Sequence, residues 1–208
     1  MLAFTAVAIA VAQGSARKFR AIVSLLAFQS LVIVVTTLVV GLQAGQANII
    51  WAVVVAGICK VVLMPAILIY MYKYVGGAGD NRSLLAPDKA LVVTIGVVTL
   101  SYYIAPTLLP ANKPWGEVIF PAALSVMMIG LYLMAARRSA LYQVAGLLVM
   151  ENGLSLATLA TTHGMPVLVE LGVLLGGMGG IFVMSLLVRG MHQQLESTDT
   201  THLRRLRG

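Results

Sequence analysis

The sequence predicts an all-α integral membrane protein, a bundle of about seven transmembrane helices. Sixty per cent of its 208 residues are hydrophobic and only 10% are charged, a composition typical of chains whose solvent is mostly lipid. Apolar runs recur along the chain, and at 1.5 Å per residue they are long enough to cross a hydrocarbon core of about 30 Å. The runs are apolar on every face, whereas the strands of a transmembrane barrel alternate apolar and polar residues, so helices are expected.

The first apolar run, residues 1 to about 16, is the shortest predicted span. Its Ala-x-Ala ending resembles a signal-peptide cleavage site, but no Lys or Arg precedes it, and Arg17, Lys18 and Arg20 come directly after it. That order of charges opposes export of the adjoining segment, so the run is interpreted as a membrane helix. The other predicted spans are residues 19–42, 48–72, 84–109, 115–136, 139–162 and 165–188.

The basic residues predict the orientation of this bundle. All but two of the 14 Lys and Arg residues lie on alternate connections and in the tail, the exceptions being Lys113 on an opposite connection and Lys60 inside the third span. Because Lys and Arg are retained on the cytoplasmic side, the pattern predicts an N-out, C-in topology. The net charge of +7 is therefore interpreted as a topology signal, and no nucleic-acid partner is predicted. Residues 1–208 are expected to form a single transmembrane domain with a short cytoplasmic tail at 190–208.

Two carboxylates lie inside the last two predicted spans, Glu151 in the sixth and Glu170 in the seventh. An acidic side chain in mid-helix costs roughly 2.5–3.5 kcal/mol even on lenient insertion scales, so it usually has a partner or a function. Counted along their spans, Glu151 and Lys60 lie near the midplane, and Glu170 lies about 10 Å nearer the outer surface. That separation fits a water-bridged relay between the two acids. A buried structural salt bridge between Lys60 and Glu151 is the alternative.

Hydroxyl side chains extend from Glu151 towards the outer surface. Ser155, Thr158 and Thr162 follow it at i+4, i+7 and i+11, and His163 comes next in the chain. This spacing places them on one helix face, where they are predicted to line a hydrated half-path for protons. Alternatively, each hydroxyl bonds the carbonyl four residues before it, as is common in membrane helices.

Glycines repeat every four residues in the seventh span, at Gly172, Gly176 and Gly180. Small residues at this spacing let two helices approach closely, so a packing face is predicted, either against the sixth span or against another polypeptide.

The residue types exclude several classes of function. The single cysteine, Cys59, excludes an iron–sulphur cluster bound by this chain alone. The three histidines lack metal-ligand spacing, and no nucleophile and base are suitably arranged, so no metal, cofactor or independent catalysis is predicted. A stand-alone transporter is also disfavoured, since no repeat with paired interrupted helices is present.

Three stretches of the chain resemble one family of membrane subunits. The run YQVAGLLVMENGLSLATLA, followed by MPVLVELGVLLGGMGGIFVMSLLVR, resembles membrane component E of hydrogenase-4 and formate-hydrogenlyase-type complexes, which carry an M-E-N-G and an E-L/I-G segment in these places. ICKVVLMPAILIY is similar to the Lys-bearing third helix of that family, and the ending THLRRLRG is similar too. The last three spans, about residues 115–190, more remotely resemble subunit K of respiratory complex I and the corresponding small subunit of Mrp-type multisubunit cation/proton antiporters.

This resemblance implies a non-catalytic subunit of a complex-I-like assembly in a bacterial or archaeal cytoplasmic membrane. Its partners would be antiporter-like membrane subunits and a hydrogenase- or complex-I-like module, and Glu151 and Glu170, with Lys60, would help to conduct protons. One departure matters: relatives commonly carry an acid about six residues after the counterpart of Glu170, where this chain has Gly176. The alternative function is a structural scaffold whose acids hold helices together.

Overall fold

The computed structural model describes residues 1–43, 50–74, 85–108, 116–137 and 139–162, together with 172, 175–180 and 182. Every regular element in these ranges is helical. A π-helical turn, Cys59–Leu63, joins two of the helices, and residues 175–180 form a short helical stretch, here called the glycine segment. The helices are α1 (Leu2–Ser15), α2 (Phe19–Gln43), α3 (Ile50–Ile58), α4 (Met64–Tyr74), α5 (Pro87–Leu108), α6 (Gly116–Ala136) and α7 (Ala140–Thr162).

These helices confirm the predicted all-α membrane fold. Five are long and apolar enough to cross a membrane, when α3, the π-turn and α4 are counted as one helix, Ile50–Tyr74. Their ends lie within a few residues of the predicted ones. Helix α1 has 14 residues, or about 21 Å, which is short for a full span. The seventh predicted span lies largely outside the described residues, and the tail wholly outside them, so the count of seven and the orientation remain predictions.

Helix α7 is the centre of the bundle. About 67% of the most apolar stretch of α7 is buried, compared with 17% of the corresponding stretch of α5, which lies at the periphery. One side of α7 packs along α6, and the other side contacts α2 and α4. Helix α1 lies against α2, α5 and α6. Most residues near the middle of α7 are therefore buried, whereas most of α5 is not covered by the described residues.

Glycines bring α6 and α7 into backbone contact. A Cβ added to Gly130 would lie 2.7 Å from the Cα of Met150, and one added to Gly153 would lie 2.5 Å from the backbone nitrogen of Met127. Such distances leave no room for a side chain, so the two helices touch along these glycines. The glycine spacing predicted close packing only for the seventh span.

The end of α1, the start of α2, the last turns of α4 and the start of α7 lie together at one end of the bundle. The guanidinium of Arg137 donates from Nη2 to the carbonyl of Ala16, just after α1. The ring of Phe19, at the start of α2, stacks on Tyr72 at 4.9 Å between centroids and meets the edge of Tyr142 at 5.1 Å. The described residues that flank the connections assigned to one side by the charge pattern thus lie together; this end is called the basic end.

Candidate functional site

A buried ion pair joins the middle of α7 to the π-turn. Lys60 Nζ lies 3.4 Å from Oε1 of Glu151, and the two residues are only 6% and 7% exposed. Lys60 also donates to the hydroxyl of Ser155, at 2.7 Å between Nζ and Oγ. Two opposite charges therefore face each other in the interior, where each would be costly alone.

The π-turn that carries Lys60 has a local cause in the sequence. Pro65 has no backbone N–H to donate to the carbonyl four residues earlier, and its ring crowds that carbonyl. The helix widens just before the proline, and the N–H of Met64 bonds the carbonyl of Cys59, five residues back. Such single wide turns often occur at functional sites in helices.

Three consecutive residues of α7 contact three different neighbours. Glu151 faces the π-turn through Lys60, Asn152 faces α2 through Ser30, and Gly153 lies against the backbone of α6. Successive residues of an α-helix project about 100° apart, so three in a row sweep more than half of its circumference. The Glu-Asn-Gly sequence thus fixes α7 among its neighbours at the level of the ion pair.

Asn152 belongs to a buried chain of amides that the sequence analysis missed. Its Nδ2 lies 3.0 Å from Ser30 Oγ and 3.3 Å from Gln29 Oε1. The Nε2 of Gln29 donates to the carbonyl of Ala6 in α1, at 3.1 Å. All three side chains are buried. Two adjacent polar residues inside the apolar run of α2 were the available signal, because buried polar groups usually have partners.

The carboxylate of Glu151 is stabilised mainly by charge. Within the described part of the chain neither of its oxygens accepts a hydrogen bond, and Lys60 is its counterion. Burial favours the neutral acid, whereas a nearby cation favours the carboxylate. The protonation of Glu151 therefore depends on whether Lys60 stays in place, which is a condition suited to a group that exchanges protons.

The structure places only part of the predicted polar path. Ser155 lies at the ion pair and donates to the carbonyl of Glu151 at 3.1 Å. Thr158 likewise donates to the carbonyl of Leu154, four residues before it, at 2.9 Å. Both hydroxyls therefore form the bond to the preceding turn that was the alternative to a polar path. The side chain of Thr162 lies outside the described residues, as do His163 and Glu170. Lys60, Glu151 and Ser155 are brought together; the rest of the path and the relay to Glu170 remain predictions.

The glycine segment contacts α7 at Gly180, which the glycine spacing singled out, and at Gly177, which it did not. Gly177 is buried, and a Cβ added to it would collide with the carboxylate of Glu151; one added to Gly180 would lie 2.8 Å from Cδ2 of Leu147. By contrast, Gly172 and Gly176 are exposed, and no described atom lies within 4 Å of an added Cβ. Gly180 thus packs against α7, while a packing role for Gly172 and Gly176 remains a prediction.

The pair and the amide chain share one narrow pocket between α2, α4 and α7. Within the described ranges, no three His, Cys, Asp or Glu side chains are grouped as metal ligands. Apolar side chains lie beside the polar ones in the lining of this pocket. Its lining residues are Leu26, Ser30, Lys60, Met64, Leu148, Glu151 and Asn152.

Comparison with known proteins confirms the resemblance seen in the sequence. The chain is 28% identical to hydrogenase-4 component E of Escherichia coli K12 over 198 residues, which are 93% of this chain and 90% of that protein. The resemblance spans nearly the whole chain. The same protein of Shigella flexneri matches equally well, and an uncharacterized protein of Mycobacterium tuberculosis is 27% identical over 92% of this chain and 87% of its own length. No family model and no solved structure matches.

Proposed function

We propose that this protein is a non-catalytic membrane subunit of a hydrogenase-4-type, complex-I-like assembly, and that Glu151 takes up and releases protons during their translocation. The assignment to such an assembly is supported by similarity to hydrogenase-4 component E over 93% of the chain. The proposed location is the cytoplasmic membrane of a bacterium or archaeon, with N-out, C-in topology. The proposed partners are antiporter-like membrane subunits and a hydrogenase-linked module.

The buried Lys60–Glu151 pair is the observation that carries the proposed role in proton transfer. A carboxylate held only by a counterion at 3.4 Å, without hydrogen-bond donors among the described residues, changes protonation when that counterion moves. The four-carbon side chain of Lys is flexible, and Ser155 offers it a second partner at 2.7 Å. Lys60 can therefore shift towards the hydroxyl while Glu151 accepts a proton.

The proposed transfer is a cycle of pairing and release. With Lys60 close, Glu151 is a carboxylate. When Lys60 withdraws towards Ser155, Glu151 binds a proton and becomes neutral, so no unpaired carboxylate remains, and the positive charge stays on Lys60 beside the Ser155 hydroxyl. The return of Lys60 expels that proton. In the proposed relay, the proton then passes along the helix face that carries Ser155 to Glu170. Relatives carry a further acid where this chain has Gly176, and we propose that a partner subunit supplies the corresponding group.

The structural scaffold remains the second candidate, and the Glu-Asn-Gly contacts support it. These three residues hold α7 against the π-turn, α2 and α6, so they would be required for assembly even if no proton moved. In that case the acid would matter only for the yield of the complex.

Replacing Glu151 by Gln distinguishes the two candidates. Gln has nearly the same shape and cannot be ionised, and its amide oxygen can still accept a hydrogen bond from Lys60. We therefore expect Glu151→Gln to leave the assembly intact while coupled proton translocation in membrane vesicles falls at least tenfold, the factor that corresponds to ~1.4 kcal/mol. The matched control is Glu117→Gln, an exposed acid at the start of α6, which should translocate normally. Normal translocation by Glu151→Gln with lower yield would favour the scaffold.

The partners are tested by isolating the tagged full-length chain in mild detergent. Co-purification of hydrogenase-like and antiporter-like subunits, identified by mass spectrometry, is the expected result. A homogeneous oligomer of this chain alone would contradict the assignment.

A further inference from the structure

The glycine segment has one buried contact that points at the acid itself. A Cβ built on Gly177 would collide with Oε2 of Glu151 and would lie 2.5 Å from Cδ and 2.7 Å from Oε1. These three nearest atoms all belong to the carboxyl group, so the backbone of Gly177 forms the wall of the site opposite Lys60. We propose that Gly177 is a positioning residue, which keeps the carboxyl group of Glu151 within reach of Lys60 by leaving space for it.

The carboxyl group is confined from two sides. Its Oε1 lies 3.4 Å from Lys60 Nζ, while its Oε2 faces the bare Cα of Gly177. A methyl group at position 177 would occupy the volume that the carboxyl group now fills. The carboxyl group is the mobile end of a flexible side chain, so it would move away by rotating about its own bonds, and the helix would not need to unfold. Loss of the pair, without loss of the fold, is the expected consequence.

Neighbouring glycines do not share this property. The position before Gly177 and the second position after it, Gly176 and Gly179, are exposed, and no described atom lies within 4 Å of a Cβ added to either. An alanine at these two places changes the helix propensity of the segment in the same way as an alanine at 177. Only the substitution at 177 would displace the acid, so the pair of controls separates a local steric effect from a general effect on the segment.

The inference rests on the proposed function for its effect on translocation, but its direct test does not. Protonated carboxyl groups in membranes react with the hydrophobic carbodiimide N,N′-dicyclohexylcarbodiimide, and peptide mass spectrometry of the intact complex locates the modified residue. In Gly177→Ala, Glu151 separates from its counterion and should be modified about tenfold faster, a factor equivalent to ~1.4 kcal/mol of lost pairing. Gly176→Ala and Gly179→Ala should be modified at the rate of the unaltered protein.

Shortening the acid provides a rescue. Aspartate is shorter by one carbon–carbon bond, about 1.5 Å, so Glu151→Asp makes room for the methyl group that Gly177→Ala introduces. We expect the double variant to be modified more slowly than Gly177→Ala alone, and the two changes to be non-additive, as for residues in contact.

Three results would overturn the proposal. They are an unchanged modification rate in Gly177→Ala, an equal increase in Gly176→Ala, and strict additivity in the double variant. The proposed function fails separately if Glu151→Gln translocates protons normally, whatever the carbodiimide shows. If Gly177→Ala alters the modification rate and Glu151→Gln has no effect on translocation, the positioning role stands and the proton role is lost.

Discussion

Two cations are buried among the residues that the structure describes, and they are stabilised in different ways. Lys60, in the interior, is 6% exposed and is paired with the carboxylate of Glu151. Arg137, at the basic end, is 4% exposed; it donates to the carbonyl of Ala16 and lies 5.1 Å from the ring centre of Tyr142. Lys60 is paired with a carboxylate that can gain a proton, whereas Arg137 is stabilised by a helix-end carbonyl and an aromatic ring.

The difference teaches which charge can take part in proton transfer. Burial lowers the pKa of Arg137 from its ordinary value, and the hydroxyls of Tyr142 and Tyr132 oppose that shift; an arginine nevertheless stays charged at physiological pH. Its partner, the carbonyl of Ala16, is not protonated at physiological pH, and the C-terminal end of a helix such as α1 stabilises a nearby cation. Arg137 is therefore a fixed staple, whereas the Lys60–Glu151 pair can change its state.

Removing one member of the exchangeable pair should have the largest effect. Lys60→Met leaves a buried acid without its counterion, and we expect a loss of about 3–5 kcal/mol in the stability of the assembly. The double variant Lys60→Met, Glu151→Leu replaces the pair by apolar side chains and should regain most of that stability without regaining translocation. Thermal unfolding in detergent and vesicle assays measure the two quantities. A double variant as unstable as Lys60→Met would contradict the view that an unpaired buried carboxylate causes the loss of stability.

Removing the fixed staple should have a smaller effect of a different kind. Arg137→Met loses the bond to Ala16 and the contact with Tyr142, so we expect a loss of about 1–2 kcal/mol in stability. Protons translocated per turnover should stay unchanged. Arg137→Lys keeps the charge but not the planar guanidinium, so its stability should lie between that of the unaltered protein and that of Arg137→Met. A fall in protons per turnover in Arg137→Met would break the distinction between the two cations.

A buried amide without a described partner should have the smallest effect, and of opposite sign. Gln13 in α1 is wholly buried, and neither amide atom forms a hydrogen bond to a described residue. Gln13→Leu removes these desolvated groups and should raise stability by about 1 kcal/mol. Gln29→Leu is the matched control, because Gln29 bonds both Ala6 and Asn152, and it should lower stability. Equal effects of the two substitutions would show that partners do not decide the outcome.

Much of the fold could be predicted because apolar length is a local property. The ends of α2, α6 and α7 fall within one residue of the predicted spans, and the basic clusters that the charge pattern placed together do meet, through Arg137 and Ala16. The π-turn was not predicted, although Pro65 was visible as a helix-bending residue. A proline shows that a helical bond is lost, but it does not show whether the helix bends or widens in response.

The site was predicted in part, for a similar reason. Glu151 and Lys60 could be matched in depth because both were counted from span ends. The contact of Glu151 with Gly177 could not be found in this way, because it depends on how the glycine segment is rotated about its axis. The glycine spacing pointed to Gly172, Gly176 and Gly180, whereas the segment contacts α7 at Gly177 and Gly180.

By itself, the sequence determined that this is a helical membrane protein, where most of its helices begin and end, and that an acid and a lysine lie at one depth. Hydrophobicity, helix rise and charge clustering act along the chain, so they can be read from it. Only the tertiary structure decided that Lys60 faces Glu151, that Asn152 reaches Gln29, and that Gly177 lies against the acid. Those contacts depend on the rotation of each helix, which is fixed by packing against neighbours distant in sequence.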